Sequence, residues 1–483
     1  MTPLIAPLDE HNRRLLAHVH PPDWKNPTPA PLYDLVVIGG GTAGLVCAAA
    51  AAGLGARVAL IERALLGGDC LNTGCVPSKS LIRSARAIHE ARAAAGVGVR
   101  TTTAVDFGAV MARVRARRAD IAHHDSAARL ASLGIDVFLG LASFASRRTV
   151  SVDGETLRFR RAVIATGGRP SMVRVPGLEA IPHLTSETIF SLTEQPRQLL
   201  VVGAGPIGCE MAQAFALLGS AVTLVESAPR VLPREDADAS AIVARRLQQD
   251  GVAIFTRASP DSAAQQAAAD AVFVAAGRTP NVEGLHLEAA GVSVDRDGVR
   301  VDDRLRTSNP RIYAAGDICS PFKFTHAADA MSRIVIQNAL FFGRRRMSSL
   351  VIPWCTYTFP EVAHVGLAAE AAGQRGAQRI TIALGEVDRS VVDDETDGFV
   401  RIHHTRGAIV AATIVAPHAG ELISYVADLM RRGGSIADLS RAIVPYPTVA
   451  DALRKAGDAY RRQALTSRVR SVLDRYFRLV RRW

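Results

Sequence analysis

The chain has 483 residues, of which 48 % are hydrophobic and 21 % charged, and its formal net charge is +11. That length exceeds what a single hydrophobic core supports and predicts about three domains. Six cysteines are too few for a disulfide-stapled scaffold, and the N-terminus lacks a basic segment followed by an apolar one, so no secretory signal is expected. The composition is typical of a globular enzyme of the cytoplasm.

The first 56 residues predict an extension followed by a buried strand. Residues 1–32 form a proline-rich arm with little periodicity, which we expect to be a packed or mobile extension. Residues 35–56 carry no charge, as a membrane span would, but six glycines interrupt them. A strand, a turn and a helix fit this pattern better than a spanning helix.

A dinucleotide fingerprint follows the first predicted strand, residues 33–38. Gly39, Gly41 and Gly44 precede an alanine-rich helix, and the second strand ends at Glu62, 23 positions after Gly39. Glycines allow a tight turn and close approach of a pyrophosphate, and the helix N-terminus favours the anion. The carboxylate is placed to accept a hydrogen bond from a ribose hydroxyl.

Two cysteines lie in a glycine-rich, polar stretch, residues 67–79, with the sequence GGDCLNTGCVPSK. Cysteines that flank such a turn can reach disulfide distance, and thiols near a helix start have lowered pKa values. Burial as small hydrophobic residues is the alternative. The pattern resembles that of the class I flavoprotein pyridine nucleotide-disulfide oxidoreductases, which include dihydrolipoamide dehydrogenase, glutathione reductase and mercuric reductase. This resemblance implies that Cys70 is the interchange thiol and Cys75 the thiol beside FAD.

A second fingerprint predicts a second dinucleotide. Gly203, Gly205 and Gly208 follow an apolar strand, and Glu226 ends the next strand, again 23 positions after the first glycine. The family resemblance assigns FAD to the first fingerprint and the nicotinamide cofactor to the second. Glu226 would repel a 2′-phosphate and so favours NADH, whereas Arg230 leaves NADPH open.

Further motifs resemble the cofactor contacts of the family. They are Gly68 and Lys79 in the cysteine stretch, Thr166 and Gly167 after one closing strand, Gly277 after the other, Asp317 at the ribityl chain, and Ala327 in the helix opened by residues 325–328. His326 is either a flavin neighbour or a histidine without a catalytic role. Residues 256–270 form a shorter hairpin than the family has.

Residues 350–460 resemble the interface domain that makes the family's homodimer. Phe359 stands where the family has a polar or acidic residue, and Cys355 is either an extra thiol or a structural one. In the family the lysine at Lys79 pairs with a glutamate that corresponds to Glu210 and supports the thiolate. A solvated surface pair is the alternative.

The acid/base position departs from most of the family. Disulfide reductases carry a histidine there, contributed by the partner subunit, with a glutamate five positions later. This chain has Tyr446 and Asp451. A phenol titrates near pH 10 and cannot readily exchange protons with a thiol at neutral pH. Mercuric reductase also has tyrosine here, but its C-terminal vicinal cysteines are not seen, since no cysteine follows Cys355.

The C-terminal stretch predicts a basic amphipathic helix with a net charge of +7. Its apolar stripe and its arginines are Leu465, Val469, Val472, Tyr476, Phe477 and Val480 opposite Arg461, Arg462, Arg468, Arg470, Arg475, Arg478, Arg481 and Arg482, with Asp474 as the acid. The stripe either packs on the body of the protein or lies on anionic lipid with Trp483 at the boundary.

Together these features predict an α/β protein with two Rossmann-like dinucleotide-binding domains and a C-terminal α+β dimerisation domain. The expected segments are the extension 1–32, an FAD domain 33–190 continued at 286–349, an NAD(P) domain 191–285, an interface domain 350–460 and a tail 461–483. We expect electrons to pass from NAD(P)H through FAD and Cys70–Cys75 to a thiol, disulfide or Hg²⁺-like acceptor, without a resident metal. Alternatives are a dihydrolipoamide dehydrogenase-type reductase and a membrane-docked carrier to a quinone or protein.

Overall fold

The computed structural model describes residues 5–171, 183–259 and 269–482. These residues form two compact units, one made of Met1–Ser227 with Asp250–Leu350 and the other of Ala228–Gln249 with Val351–Trp483.

The described chain contains both helices and strands throughout its length. In chain order the helices are α1 Glu10–Val19, α2 Thr42–Gly53, α3 Gly68–Asn72, α4 Cys75–Ala93, α5 Phe107–Ile121, α6 Ala127–Ser132, α7 Pro206–Leu218, α8 Ala237–Gln249, α9 Thr325–Leu340, α10 Ala369–Gln374, α11 Asp388–Val392, α12 Ala419–Arg431, α13 Ile436–Leu439, α14 Asp451–Gln463 and α15 Ser467–Val480. The strands are β1 Tyr33–Ile38, β2 Val58–Glu62, β3 Ile135–Leu139, β4 Ala142–Ser146, β5 Thr149–Val152, β6 Glu155–Ile164, β7 Gly168–Pro170, β8 His183–Leu184, β9 Gln198–Val202, β10 Ala221–Glu226, β11 Val252–Thr256, β12 Ala271–Val274, β13 Arg278–Pro280, β14 Val294–Asp295, β15 Gly298–Val299, β16 Ile312–Ala314, β17 Pro353–Thr356, β18 Glu361–Gly366, β19 Gln378–Ala383, β20 Phe399–Thr405 and β21 Ala408–Ala416.

The first sheet of the first unit has the order β3-β2-β1-β6-β5-β4, with β16 also paired to β6. Its central strand β1 is apolar and almost fully buried, as a parallel strand covered on both faces should be. The end of β6 runs parallel to β1 with Ile38 beside Ile164. The loops after these two strands, at Gly39 and Thr166, therefore leave the same edge of the sheet.

The second sheet of this unit repeats that arrangement with the order β11-β10-β9-β12-β8, all in parallel. Val202, the last residue of β9, lies beside Val225 and Val274. Ligands bind at the carboxyl ends of such strands, and here those ends lead into Gly203, Glu226 and the 275–277 turn.

The second unit is built on an antiparallel sheet in the order β17-β18-β21-β20-β19. Its core combines apolar side chains of these strands with those of α12, α13 and α14. The segment 228–249, which contains α8, joins this unit through side chains. Arg401 pairs with Asp236 at 3.3 Å and Asp238 at 2.7 Å, and Trp354 Nε1 donates to Glu235 at 2.6 Å.

The fold class predicted from the sequence is confirmed, while the domain boundaries stay predictions. Residues 35–56 form β1, a turn and α2 as expected. Within the part of the chain that is described, no helix has the length and apolarity needed to cross a bilayer. Most of the predicted short hairpin, at 260–268, and the predicted boundary residue Trp483 lie outside the described residues.

Two terminal segments differ from what periodicity suggested. The N-terminal arm contains α1, whose Leu15 and Val19 are fully buried, and Arg118 of α5 donates to Asn12 at 2.6 Å, so the arm is packed. At the other end α15 has no buried residue. The expectation that its apolar stripe packs on the body is therefore not met within this chain.

Candidate active site

The two cysteines of the 67–79 stretch lie on consecutive helices. Cys70 is in the middle of the short helix α3, and Cys75 is the first residue of α4. Both are free thiols in this structure, and they are hydrogen-bonded to each other. The helix start brings unpaired backbone N–H groups and the positive end of the helix dipole to Cys75.

Thr325 at the start of α9 is a second partner of Cys75. Its Oγ1 lies 3.4 Å from Cys75 Sγ, although the two residues are 250 positions apart in the sequence. A hydroxyl at this distance can donate to a thiolate, because sulfur hydrogen bonds are longer than those between oxygen atoms. The structure thus joins the thiol pair to the helix predicted to face the flavin.

These contacts shift the pKa values of the two thiols in opposite directions. The hydrogen bond from Cys70 lowers the pKa of Cys75 to about 6; the Thr325 hydroxyl and the Lys79 ammonium also lower it, against desolvation and the Glu210 carboxylate. The same hydrogen bond raises the pKa of Cys70, and burial adds to that. When the reduced pair carries one negative charge, these contacts favour that charge on Cys75, with Cys70 as the hydrogen-bond donor.

Lys79 and Glu210 form an ion pair that links two helices. Lys79 Nζ lies 3.0 Å from Glu210 Oε2, and only 6 % of the Glu210 side chain is exposed. Lys79 stands one helical turn after Cys75 on α4, and Glu210 lies in the first turns of α7. The pairing predicted from the two motifs is present, and Lys79 is near enough to favour the Cys75 thiolate.

The first glycine loop has the geometry that its sequence pattern predicts. Gly39 adopts φ +107°, and a Cβ there would lie 2.3 Å from Ala165 O. A Cβ on Gly44 would lie 1.7 Å from Gly39 O, because α2 packs tightly under the loop. Glu62 at the end of β2 accepts hydrogen bonds from Gly40 N at 2.5 Å and Ala64 N at 2.7 Å, and burial raises the pKa of its carboxyl.

The middle glycine of each fingerprint supplies a test of whether a dinucleotide fits. Gly41 and Gly205 begin their helices with φ −80° and −71°, which any residue adopts. Among the described residues, a Cβ on Gly41 would approach nothing nearer than Gly68 Cα at 3.6 Å, and one on Gly205 would meet no atom within 4 Å. The chain itself does not require glycine at either position, so the open space fits a phosphate that approaches the backbone.

The cysteine stretch covers the first loop. Gly67 N donates to Gly40 O at 2.9 Å, and Gly68, at φ +55°, comes so close to Gly41 that a Cβ on Gly68 would lie 2.6 Å from Gly41 Cα. Gly68, predicted to contact FAD, thus packs its backbone against the first glycine loop.

Asp317, predicted to lie at the ribityl chain, has an arginine partner that links it to the cysteine stretch. Its carboxylate pairs with Arg278 Nε at 3.3 Å, and burial raises the pKa of Asp317 while Arg278 lowers it. Arg278 also pairs with Asp69, the residue before Cys70. Ala327 is fully buried in the first turn of α9.

The turns after the two closing strands are tied together. Thr166 Oγ1 donates to Asn281 O at 2.9 Å, and Gly167 adopts φ +65°. Gly277, at φ +116°, accepts from Ser171 N at 3.0 Å. The antiparallel pair of β7 and β13 thus holds the predicted FAD turn and the predicted NAD(P) turn side by side.

The second glycine loop has the same backbone geometry as the first, but its acidic residue is less buried. Gly203 adopts φ +100°, and a Cβ on Gly208 would lie 1.9 Å from Gly203 O. Glu226 Oε2 accepts from Ala204 N at 2.7 Å, and its side chain is half-buried. Within the second unit, the Arg230 guanidinium donates to Pro233 O at 3.1 Å and Glu235 O at 3.3 Å.

Tyr446 and Asp451 belong to the second unit and have separate partners. The Tyr446 hydroxyl donates to Asp388 Oδ2 at 2.8 Å, which raises the pKa of the phenol. Asp451 is buried and pairs with Arg454 at 2.7 Å and Lys455 at 3.5 Å. Among the described residues, the acidic partner of Tyr446 is therefore Asp388 and not the residue five positions later.

Sequence reasoning did not find Asp388, the contact of Thr325 with Cys75, or the role of Arg278 between Asp69 and Asp317. A polar residue at a helix start was the only available signal for Thr325. Of the residues left open, His326 is exposed and stacks on Phe324 with ring centroids 5.5 Å apart. Cys355 Sγ lies 3.8 Å from Glu361 Oε2, and Phe359 is buried.

Comparisons with known proteins agree with this geometry. The pyridine nucleotide-disulphide oxidoreductase family matches residues 33–332, and its dimerisation domain matches residues 352–457. A mercuric reductase of Streptomyces lividans is 34 % identical over 457 residues, which cover 89 % of this chain and 96 % of the relative. A dihydrolipoyl dehydrogenase of Thermus scotoductus is 31 % identical over 471 residues, covering 90 % and 98 %.

A solved structure extends the similarity to the whole fold. The HOCl-induced flavoprotein disulfide reductase RclA from Escherichia coli superposes with a TM-score of 0.78 at 29 % identity, covering 88 % of this chain and 99 % of that one. The resemblance seen in the sequence is thereby confirmed. The chain belongs to the pyridine nucleotide-disulphide oxidoreductase family, and it is an FAD-dependent NAD(P)H oxidoreductase of the class that acts on a sulfur group or a metal ion.

Proposed function

We propose that Cys70 and Cys75 are the redox pair through which this enzyme reduces its acceptor. FAD supplies the two-electron exchange between the reduced nicotinamide and the sulfur atoms. Reduction breaks the Cys70–Cys75 bond, and with two electrons and one proton it yields a Cys70 thiol and a Cys75 thiolate. Oxidation by the acceptor removes two electrons and one proton and forms the bond again.

The observation that carries this proposal is the set of contacts around Cys75, which is the first residue of α4, lies 3.4 Å from the Thr325 hydroxyl and has Lys79 one turn further along the helix. Cys75, with a pKa lowered to about 6, is held as a thiolate by Cys70, Thr325 and Lys79. Cys70 keeps its proton until it attacks, since its pKa is raised. An inert structural pair of cysteines would not need a hydroxyl, an ammonium and a helix start directed at one sulfur atom.

The nucleotide assignments follow from the two loops. We assign FAD to the loop of Gly39, Gly41 and Gly44, and NADH to the loop of Gly203, Gly205 and Gly208. A ribose with two free hydroxyls can donate to Glu226, whereas a 2′-phosphate would meet its negative charge. Arg230 donates instead to carbonyl groups of its own segment, which supports NADH over NADPH.

The acceptor we favour is a soft metal ion such as Hg²⁺. Two thiolate sulfurs bind such an ion well, and reduction of a bound Hg²⁺ to the metal consumes two electrons and no proton. A disulfide acceptor needs protons, which an imidazole normally delivers. The Asp388 carboxylate raises the pKa of Tyr446, so this phenol holds its proton more tightly and is a poor proton donor near neutral pH.

The match to a dimerisation domain supports a homodimer, in which Tyr446 and Asp451 of one subunit would serve the thiols of the other. We propose that this homodimer works in the cytoplasm, in part at the inner surface of the membrane.

An anaerobic titration with NADH tests the redox pair. Wild type is expected to accept two electrons per flavin more than Cys75→Ser, and to develop a long-wavelength thiolate-to-flavin absorption band that the variant lacks. Cys355→Ser is the matched control, because Cys355 lies in the second unit and has no assigned role. Equal electron uptake by wild type and Cys75→Ser would reject the proposal.

A panel of acceptors then separates the alternatives. Hg²⁺, lipoamide and a soluble quinone are compared for wild type and Cys70→Ser. Loss of Hg²⁺ reduction in Cys70→Ser is expected. Turnover of lipoamide at rates normal for a disulfide reductase would favour the dihydrolipoamide dehydrogenase type, and quinone turnover that survives the substitution would indicate an electron carrier that bypasses the thiols.

A further inference from the structure

The C-terminal helix α15 separates its apolar and polar residues completely. At about 100° per residue, the seven apolar side chains span about 160° of the circumference, and every charged residue and serine of the helix falls on the remaining arc. The apolar residues are Val469, Val472, Leu473, Tyr476, Phe477, Leu479 and Val480, and each is between 39 % and 66 % exposed. A helix that packed on its own chain would bury this face.

Positive charge is concentrated on the other face of α15 and in the residues beside it. α15 itself holds four arginines and one acid, Asp474, for a net charge of +3. With Arg461 and Arg462 at the end of α14 and Arg481 and Arg482 after α15, residues 461–482 carry +7 of the chain's total of +11. Arg468 and Arg470 stand at the two edges of the apolar face. Long arginine side chains in that position can lay their stems on an apolar surface while the guanidinium groups stay in water.

We propose that α15 binds the surface of an anionic lipid membrane, with its apolar face among the acyl chains and its arginines among the headgroups. The positive charge of α15 favours an anionic membrane over the other surfaces that its apolar face could contact. Two copies of α15 paired in parallel, face to face, would bring Arg468 and Arg470 of both together, and like charges at these flanking positions disfavour such a pair. Nucleic acid would engage the arginines but leave the apolar face in water.

The element has the features of a helix that lies in the membrane plane rather than crossing it. It has 14 residues, too few to span the hydrocarbon core, and its polar face is strongly basic. Such binding depends on both apolar burial and headgroup charge, so each contribution can be removed separately.

Flotation of the full-length holoprotein with vesicles tests the proposal. Wild type is expected to float with vesicles of 70 % phosphatidylcholine and 30 % phosphatidylglycerol, and not with phosphatidylcholine alone. Val472→Ser/Phe477→Ser should weaken binding about tenfold or more. Arg468→Gln/Arg470→Gln should weaken it by about 25-fold, since each arginine near an anionic surface contributes about a factor of five.

Ser467→Ala/Ser471→Ala is the matched control, because it changes two residues of the polar face and should bind as wild type. Flavin content and NADH oxidation in solution, expected to be unchanged in all variants, confirm that the fold is retained. The proposal is overturned if wild type does not float, if Val472→Ser/Phe477→Ser floats equally, or if that variant instead changes the sedimentation coefficient, which would make the apolar face a subunit contact. Wild-type binding to duplex DNA that competes with vesicles would also overturn it.

Discussion

The two glycine loops of this enzyme share one backbone design but differ in what covers them. In both, the third glycine packs under the first, and the carboxylate that ends the second strand accepts from a loop N–H. The first loop is covered by Gly67 and Gly68 of the cysteine stretch, and its Glu62 is buried. The second loop has open space at Gly205, and its Glu226 is half-buried.

This difference matches the two tasks. A flavin must remain bound through many turnovers, so burial and backbone contact around its loop are favourable. A nicotinamide cofactor must enter and leave in each turnover, and tight enclosure would slow its release. Under the proposed assignment of FAD to the first loop and NADH to the second, the same sequence pattern serves a retained and an exchanging nucleotide, and the residues outside the pattern make the distinction.

The largest effect should come from alanine at the third glycine of each loop. Gly44→Ala and Gly208→Ala place a Cβ 1.7 Å and 1.9 Å from a backbone oxygen, and such overpacking costs about 1–3 kcal/mol or more. Gly44→Ala should be purified largely without flavin, whereas Gly208→Ala should keep its flavin but resist reduction by NADH. The flavin-to-protein absorbance ratio and anaerobic reduction measure both. Loss of flavin from Gly208→Ala would break the comparison.

The cover of the first loop is tested by Gly68→Ala. The Cβ would lie 2.6 Å from Gly41 Cα at a φ of +55°, so we expect flavin affinity to fall about tenfold, for a cost of about 1–2 kcal/mol. Gly284→Ala is the matched control, since Gly284 has φ +74° but no atom within 4 Å of its added Cβ. If Gly284→Ala loses flavin to the same extent, backbone strain and not the contact with Gly41 explains the result.

Removal of charge at the second carboxylate should change nucleotide choice. Glu226→Gln keeps an acceptor for Ala204 N but removes the repulsion of a 2′-phosphate, so the ratio of kcat/KM for NADPH to that for NADH should rise about tenfold. Glu62→Gln serves as the control and should leave this ratio unchanged. An unchanged ratio in Glu226→Gln would argue that Glu226 does not face the ribose.

The smallest effect on stability is expected from Gly205→Ala. Its φ of −71° suits alanine, and no atom lies within 4 Å of the added Cβ. The free energy of unfolding should therefore change by less than about 1 kcal/mol, while the KM for NADH rises. Thermal unfolding without nucleotide, together with steady-state kinetics, separates the two. A large loss of stability would show that the chain itself needs glycine there.

Sequence reasoning located the loops and the thiol pair because backbone geometry dictates residue type at those places. Gly39 and Gly203 need a positive φ, and Gly44 and Gly208 have no room for a side chain. Glu210 could be matched to Lys79 because each lies at a fixed distance from a recognisable motif.

Contacts between residues that are far apart in the sequence could not be predicted from residue type or spacing. Thr325 meets Cys75 across 250 residues, and Asp388 meets Tyr446 across 58. Neither polar residue stands out by type or spacing, since threonine and aspartate are common at helix starts for reasons of capping alone. The exposure of α15 could not be predicted either, because an amphipathic pattern does not indicate which surface the apolar face will contact.

The ion pair between Lys79 and Glu210 connects the helix that begins at Cys75 to the helix that follows the second glycine loop. Lys79 stands one turn from the thiolate on α4, and Glu210 stands one turn inside the helix whose N-terminus closes the second glycine loop. Coupling between sites is reciprocal. If a bound nicotinamide nucleotide shifts the protonation equilibrium of Cys75 by some factor, ionisation of Cys75 must shift the affinity for that nucleotide by the same factor.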